Sequence, residues 1–223
     1  MRYKTSVPAV FLERPNRFVA RVALDGVTET VHVKNTGRCR ELLVPGARVI
    51  LVPGDSPARK TAYDLVAVYK GDMLINMDSQ APNAAAGELL RKLFPGCALY
   101  PEKSYVNSRF DFYLEQGQRR IFAEVKGVTL ERGGTAMFPD APTERGRKHL
   151  LELAQAVDAG YEAYVLFLVQ MKGCRCFTPN RETDPAFADA LREASARGVG
   201  VLCYDCLVTE DSMIADIPVP VRL

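Results

Sequence analysis

The sequence predicts a mixed α+β chain in two parts: a small OB-like β-barrel over residues 1–80, then an α/β domain with a mixed sheet over residues 81–223. Three observations carry this. The first 80 residues hold short β-branched and aromatic segments broken at close intervals by turn residues. Beyond Ala81-Pro82-Asn83 the pattern changes to alternating helical and strand-like segments. A continuous apolar run over 163–169 lies between two helical stretches, as expected for a strand buried on both faces.

In the first part, strands are expected at 7–12, 18–24, 28–33, 48–52, 62–69 and 73–75. Pro15-Asn16, Asp25-Gly26, Asn35-Thr36-Gly37, Pro45-Gly46, Pro53-Gly54-Asp55 and Lys70-Gly71-Asp72 separate them. Asp25-Gly26 is a hairpin signal because both central residues of a type I′ turn need positive φ. Five or six short strands in so few residues suit a closed barrel. In the second part, helices are expected at 84–93, 143–159 and 185–197, with strands at 100–106, 110–114, 121–128, 163–169 and 199–204. Leu150, Leu153, Ala154 and Val157 share one face of the second helix, and Gly160 is its stop. No low-complexity linker separates the parts, so they are expected to pack closely.

Of 223 residues, 48% are hydrophobic and 25% charged, the balance of a soluble globular protein. No run of 18 apolar residues occurs, so no membrane span is expected, and the first residues lack the apolar stretch of a secretory signal. A cytoplasmic location is the expectation. Net charge is +2. It is unevenly spread: residues 1–80 hold 12 Lys+Arg against 8 Asp+Glu, leaving 17 against 19 in the rest. A basic module joined to an acidic one suits polyanion binding beside a cation site, although a chance imbalance reads the same way. Six cysteines in such a chain argue against a disulfide framework. Cys174-x-Cys176 and Cys203-x-x-Cys206 have zinc-like spacing, but buried reduced thiols are the preferred reading. His32 is expected to be exposed.

The chemistry-bearing stretch is Arg109-Phe110-Asp111-Phe112-Tyr113-Leu114, a polar turn, then Ile121-Phe122-Ala123-Glu124-Val125-Lys126-Gly127-Val128. Alternation along a strand puts Glu124 and Lys126 on one face. The hairpin register then brings Asp111 beside Glu124. Two carboxylates supply hard oxygen ligands to Mg²⁺ or Mn²⁺, and the lysine can orient the attacking water of phosphodiester hydrolysis. The alternative is a structural cross-strand ion pair. Glu88, on the first helix, either adds a metal ligand or is simply solvated. The second helix opens Thr143-Glu144-Arg145-Gly146-Arg147-Lys148-His149, with Thr143 a candidate N-cap. Arg145 and His149 share a face, as do Glu144 and Lys148. Arg145 and Lys148 either clamp phosphates or form a solvated first turn. In the barrel, Arg14, Arg17, Lys34, Arg38 and Arg40 gather around two turns as a nucleic-acid patch or as scattered charge. Phe18 among them is expected in the core. Gly133-Gly134 lacks the strand-then-helix setting of a nucleotide loop.

The run Phe138-Pro139-Asp140-Ala141-Pro142-Thr143-Glu144-Arg145-Gly146-Arg147-Lys148-His149-Leu150 resembles the signature of the sugar fermentation stimulation protein family. So do Ser108-Arg109-Phe110-Asp111-Phe112, Glu124-Val125-Lys126-Gly127-Val128-Thr129-Leu130 and Asn35-Thr36-Gly37. The resemblance runs from Phe11 almost to the C-terminus. It implies an N-terminal OB-like domain and a PD-(D/E)xK nuclease-like domain, DNA binding, and a link to regulation of sugar (maltose) metabolism. It puts the nuclease motif on Asp111, Glu124 and Lys126, with Glu88 in the first-helix acidic position. Phe110 stands where the motif name has proline. The expected function is a DNA-binding protein with a Mg²⁺- or Mn²⁺-dependent nuclease-type site. The alternative is a non-catalytic DNA-binding regulator that keeps the fold. Single- or double-stranded DNA and a homo-oligomer both stay open. A sugar-metabolism enzyme finds no support in the residues.

Overall fold

The computed structural model describes residues 1–223 apart from Thr36, Arg38, Asp55 and Pro57. Strands β1 (Val7–Asn16), β2 (Val19–Leu24), β3 (Val27–Val33), β4 (Arg48–Pro53), β5 (Tyr63–Lys70) and β6 (Met73–Asn76) form one sheet in the order β3-β2-β1-β4-β5-β6. A further parallel pairing, His32↔Asp64 and Val33↔Leu65, joins β3 to β5 and closes the first five strands into the OB-like barrel. The β2–β3 turn has positive φ at both Asp25 and Gly26, the geometry their sequence predicts. Phe11, Val22, Val31, Val49 and Leu65 fill the interior.

Helix α1 (Ala81–Leu93) follows, opening with proline in its first turn. Strands β7 (Ala98–Tyr105), β8 (Ser108–Gln116) and β9 (Arg119–Val128) form an antiparallel meander. Then come β10 (Leu130–Arg132), β11 (Thr135–Phe138), α2 (Glu144–Asp158), β12 (Glu162–Val169), β13 (Cys176–Pro179), α3 (Pro185–Ala196), β14 (Gly200–Thr209) and β15 (Ser212–Pro218). The main sheet runs β15-β14-β12-β9-β8-β7, with β12 parallel to both β9 and β14 and the other pairs antiparallel. It is the expected mixed sheet. Val125, Leu166 and Leu168 face α1, whereas Val165 and Phe167 share the α2 and α3 side with Leu150, Leu153 and Phe187.

Sequence reading misses the small sheet β10-β11-β13 and the closing strand β15. These strands are three to seven residues long, and two of them flank Gly133-Gly134, which forms a hairpin turn with positive φ at both positions. Runs this short carry little periodicity.

The two parts share one apolar cluster, from Phe11 in the barrel and Ile75 on β6 to Phe167 and Phe177 in the α/β domain. Polar contacts cross the junction as well. The buried Gln170 side chain donates to the Asn76 and Asp78 carbonyls at 3.0 and 3.3 Å. Lys70 Nζ meets Glu131 Oε2 at 2.6 Å.

His32 is not merely exposed. Its Nδ1 lies 2.9 Å from Asp64 Oδ1, and Arg59 Nη1 donates to Asp64 Oδ2 at 3.0 Å across the β3–β5 closure. Burial pushes the Asp64 carboxyl up, but Arg59 and His32 hold it below its ordinary value. Because its folded value is depressed, its stabilisation is present above the unfolded carboxyl value of about 3.9 and is lost as pH falls through the folded value. Asp64→Asn is therefore expected to cost about 1–3 kcal/mol at pH 7. The difference from the unsubstituted protein should shrink steadily below about pH 4, where that carboxyl begins to protonate. Urea midpoints at pH 7 and pH 3 check this; an equal difference at both would refute it.

Candidate functional site

The antiparallel ladder between β8 and β9 ends at Phe112↔Ala123. One residue further, the Asp111 carboxylate takes the ladder's place: its Oδ2 accepts from Val125 N at 2.8 Å. Its Oδ1 accepts from Asn83 Nδ2, on the first turn of α1, at 2.8 Å. The Glu124 charge acts on Asp111, so the two carboxylates are neighbours.

Glu124 is 4% exposed. Its Oε1 accepts from Lys126 Nζ at 2.6 Å and lies 2.5 Å from His149 Nδ1, on α2. Its Oε2 is buried and has no hydrogen-bond partner among the described residues. Arg145 Nε donates to His149 Nε2 at 3.4 Å, so that nitrogen accepts and Nδ1 carries the proton given to Glu124. The environments push the two carboxyls apart. Burial and the nearby Glu124 charge raise Asp111, partly offset by the Val125 amide and Asn83. Burial also works against the Glu124 anion, but His149 and Lys126 outweigh it and hold that group below its ordinary value.

α2 is fixed for this task. Thr143 caps it, its hydroxyl accepting from Gly146 N at 3.0 Å. Asp184, the α3 N-cap, accepts from Thr143 N at 2.8 Å and so ties the two helix starts together. His149 is buried over β9 as a result.

Beside the carboxylates, Asn107, Arg109, Glu144, Arg145, Lys148 and His149 line a cleft of about 570 Å³. Arg145 and Lys148 thus share one cleft. Lys148 also donates to the Asn107 carbonyl at 2.9 Å. On the barrel, Arg14, Arg17 and Arg40 line a second cleft of about 400 Å³. Arg14 is partly committed, donating to the Gly37, Asn35 and Arg17 carbonyls. Lys34 does not join them; it pairs with Asp78 Oδ2 at 3.2 Å and faces a different cleft. Arg38 lies outside the described residues. Phe18 is 55% exposed rather than in the core. It stands just before β2, and its amide is held by Asn16 Oδ1.

Glu88 does not reach the carboxylate pair. It is exposed, and its Oε1 takes the Met1 ammonium at 3.0 Å. The reason is helical phase. Asn83 faces Asp111, and Gly87, four residues on, faces Phe112; Glu88 is a further 100° around the helix. Asn83 and His149 are what sequence reasoning missed at this site. Only the Arg145/His149 spacing hinted at His149. The four cysteines of zinc-like spacing do not all converge, since Cys203 and Cys206 pack on opposite sides of the sheet.

Two family models match the chain. One is described as the sugar fermentation stimulation protein RE domain and matches residues 80–212; the other, the SfsA N-terminal OB domain, matches residues 12–77. The sugar fermentation stimulation protein homolog of Desulfitobacterium hafniense (strain Y51) is 58% identical, over 100% of this chain and 99% of that protein. The homolog of Ruminiclostridium cellulolyticum is 52% identical over the full length of both. Among solved structures, Pyrococcus furiosus SfsA in complex with Ca²⁺ superposes with a TM-score of 0.89 at 28% identity, covering 100% of this chain and 98% of that one.

Gly127, next to Lys126, is packed against both Gln170 and α1: a Cβ there would overlap Gln170 Oε1 and fall 2.7 Å from the Pro82 ring. Gly127→Ala is expected to displace the Gln170 side chain, push α1 outward and loosen the Asn83–Asp111 contact. The cost should be about 2 kcal/mol, lowering Tm by about 4–8 °C. Calorimetry checks it, and an unchanged Tm would show that the helix start yields freely.

Proposed function

The chain belongs to the sugar fermentation stimulation protein family, and on that premise we propose that it binds DNA and hydrolyses phosphodiester bonds at Asp111, Glu124 and Lys126, with Mg²⁺ or Mn²⁺. One observation carries the reading. A buried glutamate keeps an unpartnered carboxylate oxygen beside a second carboxylate and a lysine. A buried unpaired oxygen is costly unless a partner arrives. Mg²⁺ takes oxygen ligands, commonly one or two protein carboxylates, so Asp111 and Glu124 fit it. The Pyrococcus furiosus relative was solved with Ca²⁺, another oxygen-seeking divalent cation, which supports the same choice.

When bound, the cation would polarise the phosphate and lower the pKa of a water. The chain's own groups would do the rest. Lys126, already directed to Glu124, would orient the attacking water and stabilise the charge growing on the phosphate oxygens. His149 and Arg145 would hold the Glu124 carboxylate in one orientation. Lys148, Arg145 and Arg109 would bind flanking phosphates, and Arg17 and Arg40 would do so on the barrel. Among the described residues, no helix is long and apolar enough to cross a membrane. The connection to sugar utilisation in the family's name would then act through DNA.

A second reading, a non-catalytic DNA-binding regulator on the same fold, is favoured by one fact. Among the described residues, no group of three or more His, Cys, Asp or Glu side chains is arranged to hold a metal. The two readings part in a cleavage assay on single- and double-stranded DNA with Mg²⁺, Mn²⁺ or EDTA. Cutting that needs metal, and that falls by about 10²–10⁴-fold in Asp111→Ala and Lys126→Ala, is the expected result. Binding without cutting in either metal, unchanged by both substitutions, would leave the regulator.

A further inference from the structure

We infer that a single strand of DNA, not a duplex, lies along one path from the barrel arginines, through the cleft between the domains, to the cleft at the start of α2. The inference rests on the nucleic-acid reading above and adds the form of the substrate and its route.

Three clefts adjoin in series. The barrel cleft holds Arg14, Arg17 and Arg40, and Gly37 lies on its wall. Gly37 also lines the cleft between the domains. That second cleft also has Thr143, the cap of α2, on its wall; the next two residues, Glu144 and Arg145, line the third cleft with Arg109, Lys148 and His149. Pro82 and Gly127 form part of the middle cleft's wall. They directly precede and follow, in the chain, the two residues that hold the carboxylates: Asn83 on Asp111 and Lys126 on Glu124. The middle cleft's wall is thus one residue along the chain from the groups that hold the acidic pair, and a cationic cleft shares or neighbours its lining on either side.

Size decides between one strand and two. The middle cleft is about 320 Å³, the scale of a single small ligand. Duplex DNA, whose major groove alone is about 12 Å wide, does not enter it. Gly37 itself is packed on the other domain, an added Cβ lying 2.6 Å from Asp140 Oδ2, so the strand crosses over this point rather than between the walls. Asp140 and Glu144 place negative charge on this route, so the strand is gripped at its two ends rather than in the middle. At the barrel end, Phe18 is exposed beside Asn16, itself on the cleft wall, and offers a ring on which a base can stack.

Ser79 is exposed on the wall of the middle cleft. The test uses the full chain in EDTA, where metal-dependent cutting is off, and fluorescein-labelled oligothymidylates of increasing length against duplexes of matched length, read by fluorescence anisotropy. Single strands are expected to bind at least about 10-fold tighter than duplexes, with affinity rising in a step once the oligonucleotide spans the three clefts. Ser79→Glu should weaken long single strands several-fold and Ser79→Arg tighten them, since both charges act within a screening length of about 8–10 Å. Arg17→Ala and Lys148→Ala should each lower the salt slope by about one for long strands. A short oligonucleotide should feel only one of these two. Duplex binding as tight as single-strand binding, or Ser79 variants that bind like the unsubstituted protein, would overturn the path. If DNA were still cut with Mg²⁺ in that case, the nuclease reading would stand without it. Tight, length-stepped binding of single strands with no cutting in any metal would support the path and remove the nuclease.

Discussion

A carboxylate in the middle of a buried strand governs this molecule. Glu124 sits between Ala123 and Val125 on β9, and removing its charge from water costs several kcal/mol before any partner is counted. Lys126 from the same strand and His149 from α2 offset that cost. The requirement reaches outward. For His149 to sit over β9, α2 must start where it does, and Thr143 and Asp184 together fix that start. Arg145 then sets which ring nitrogen carries the proton. The remaining oxygen, Oε2, is left without a partner among the described residues. An unsatisfied group held this firmly is a common mark of a site shaped for something other than stability.

Asp111 shows a different economy. Where β8 and β9 part, a side chain replaces a missing backbone bond, so the strand end stays closed while its carboxylate is drawn to the pair. Asn83 secures the other oxygen from α1, and the close approach of that helix depends on Gly127 having no side chain. One glycine, one helix start and one strand end thus act together on a single carboxyl group.

What could be read from sequence was what depended on local pattern. Alternation and a polar turn suffice to put Glu124 and Lys126 on one face and Asp111 opposite. The parallel pairing of the strands around Val165 and Val201 follows from an apolar run and an intervening helix. Contacts that depend on how elements dock were out of reach. The rotation of α1 selects Asn83 and turns Glu88 away, and nothing within the helix sequence encodes that angle. Phe18 reads as core because aromatic residues usually are, yet it lies at a turn just outside β2, where the barrel wall ends. Lys34 reads as part of a basic patch because the aspartate that neutralises it, Asp78, is 44 positions away.

The shared apolar cluster has a consequence for what a domain means here. Two family models divide the chain near residue 80, and the barrel has a complete strand topology of its own. Thermodynamically the division does not follow. Barrel and α/β residues belong to one contiguous core, and the Gln170 and Lys70 contacts lock polar groups across the seam. Chains joined by a large apolar interface melt together rather than in turn. Melting should therefore be a single cooperative event, and neither half, cut free, would keep a fully covered surface. The unit that a family model delimits and the unit that unfolds are different objects in this protein.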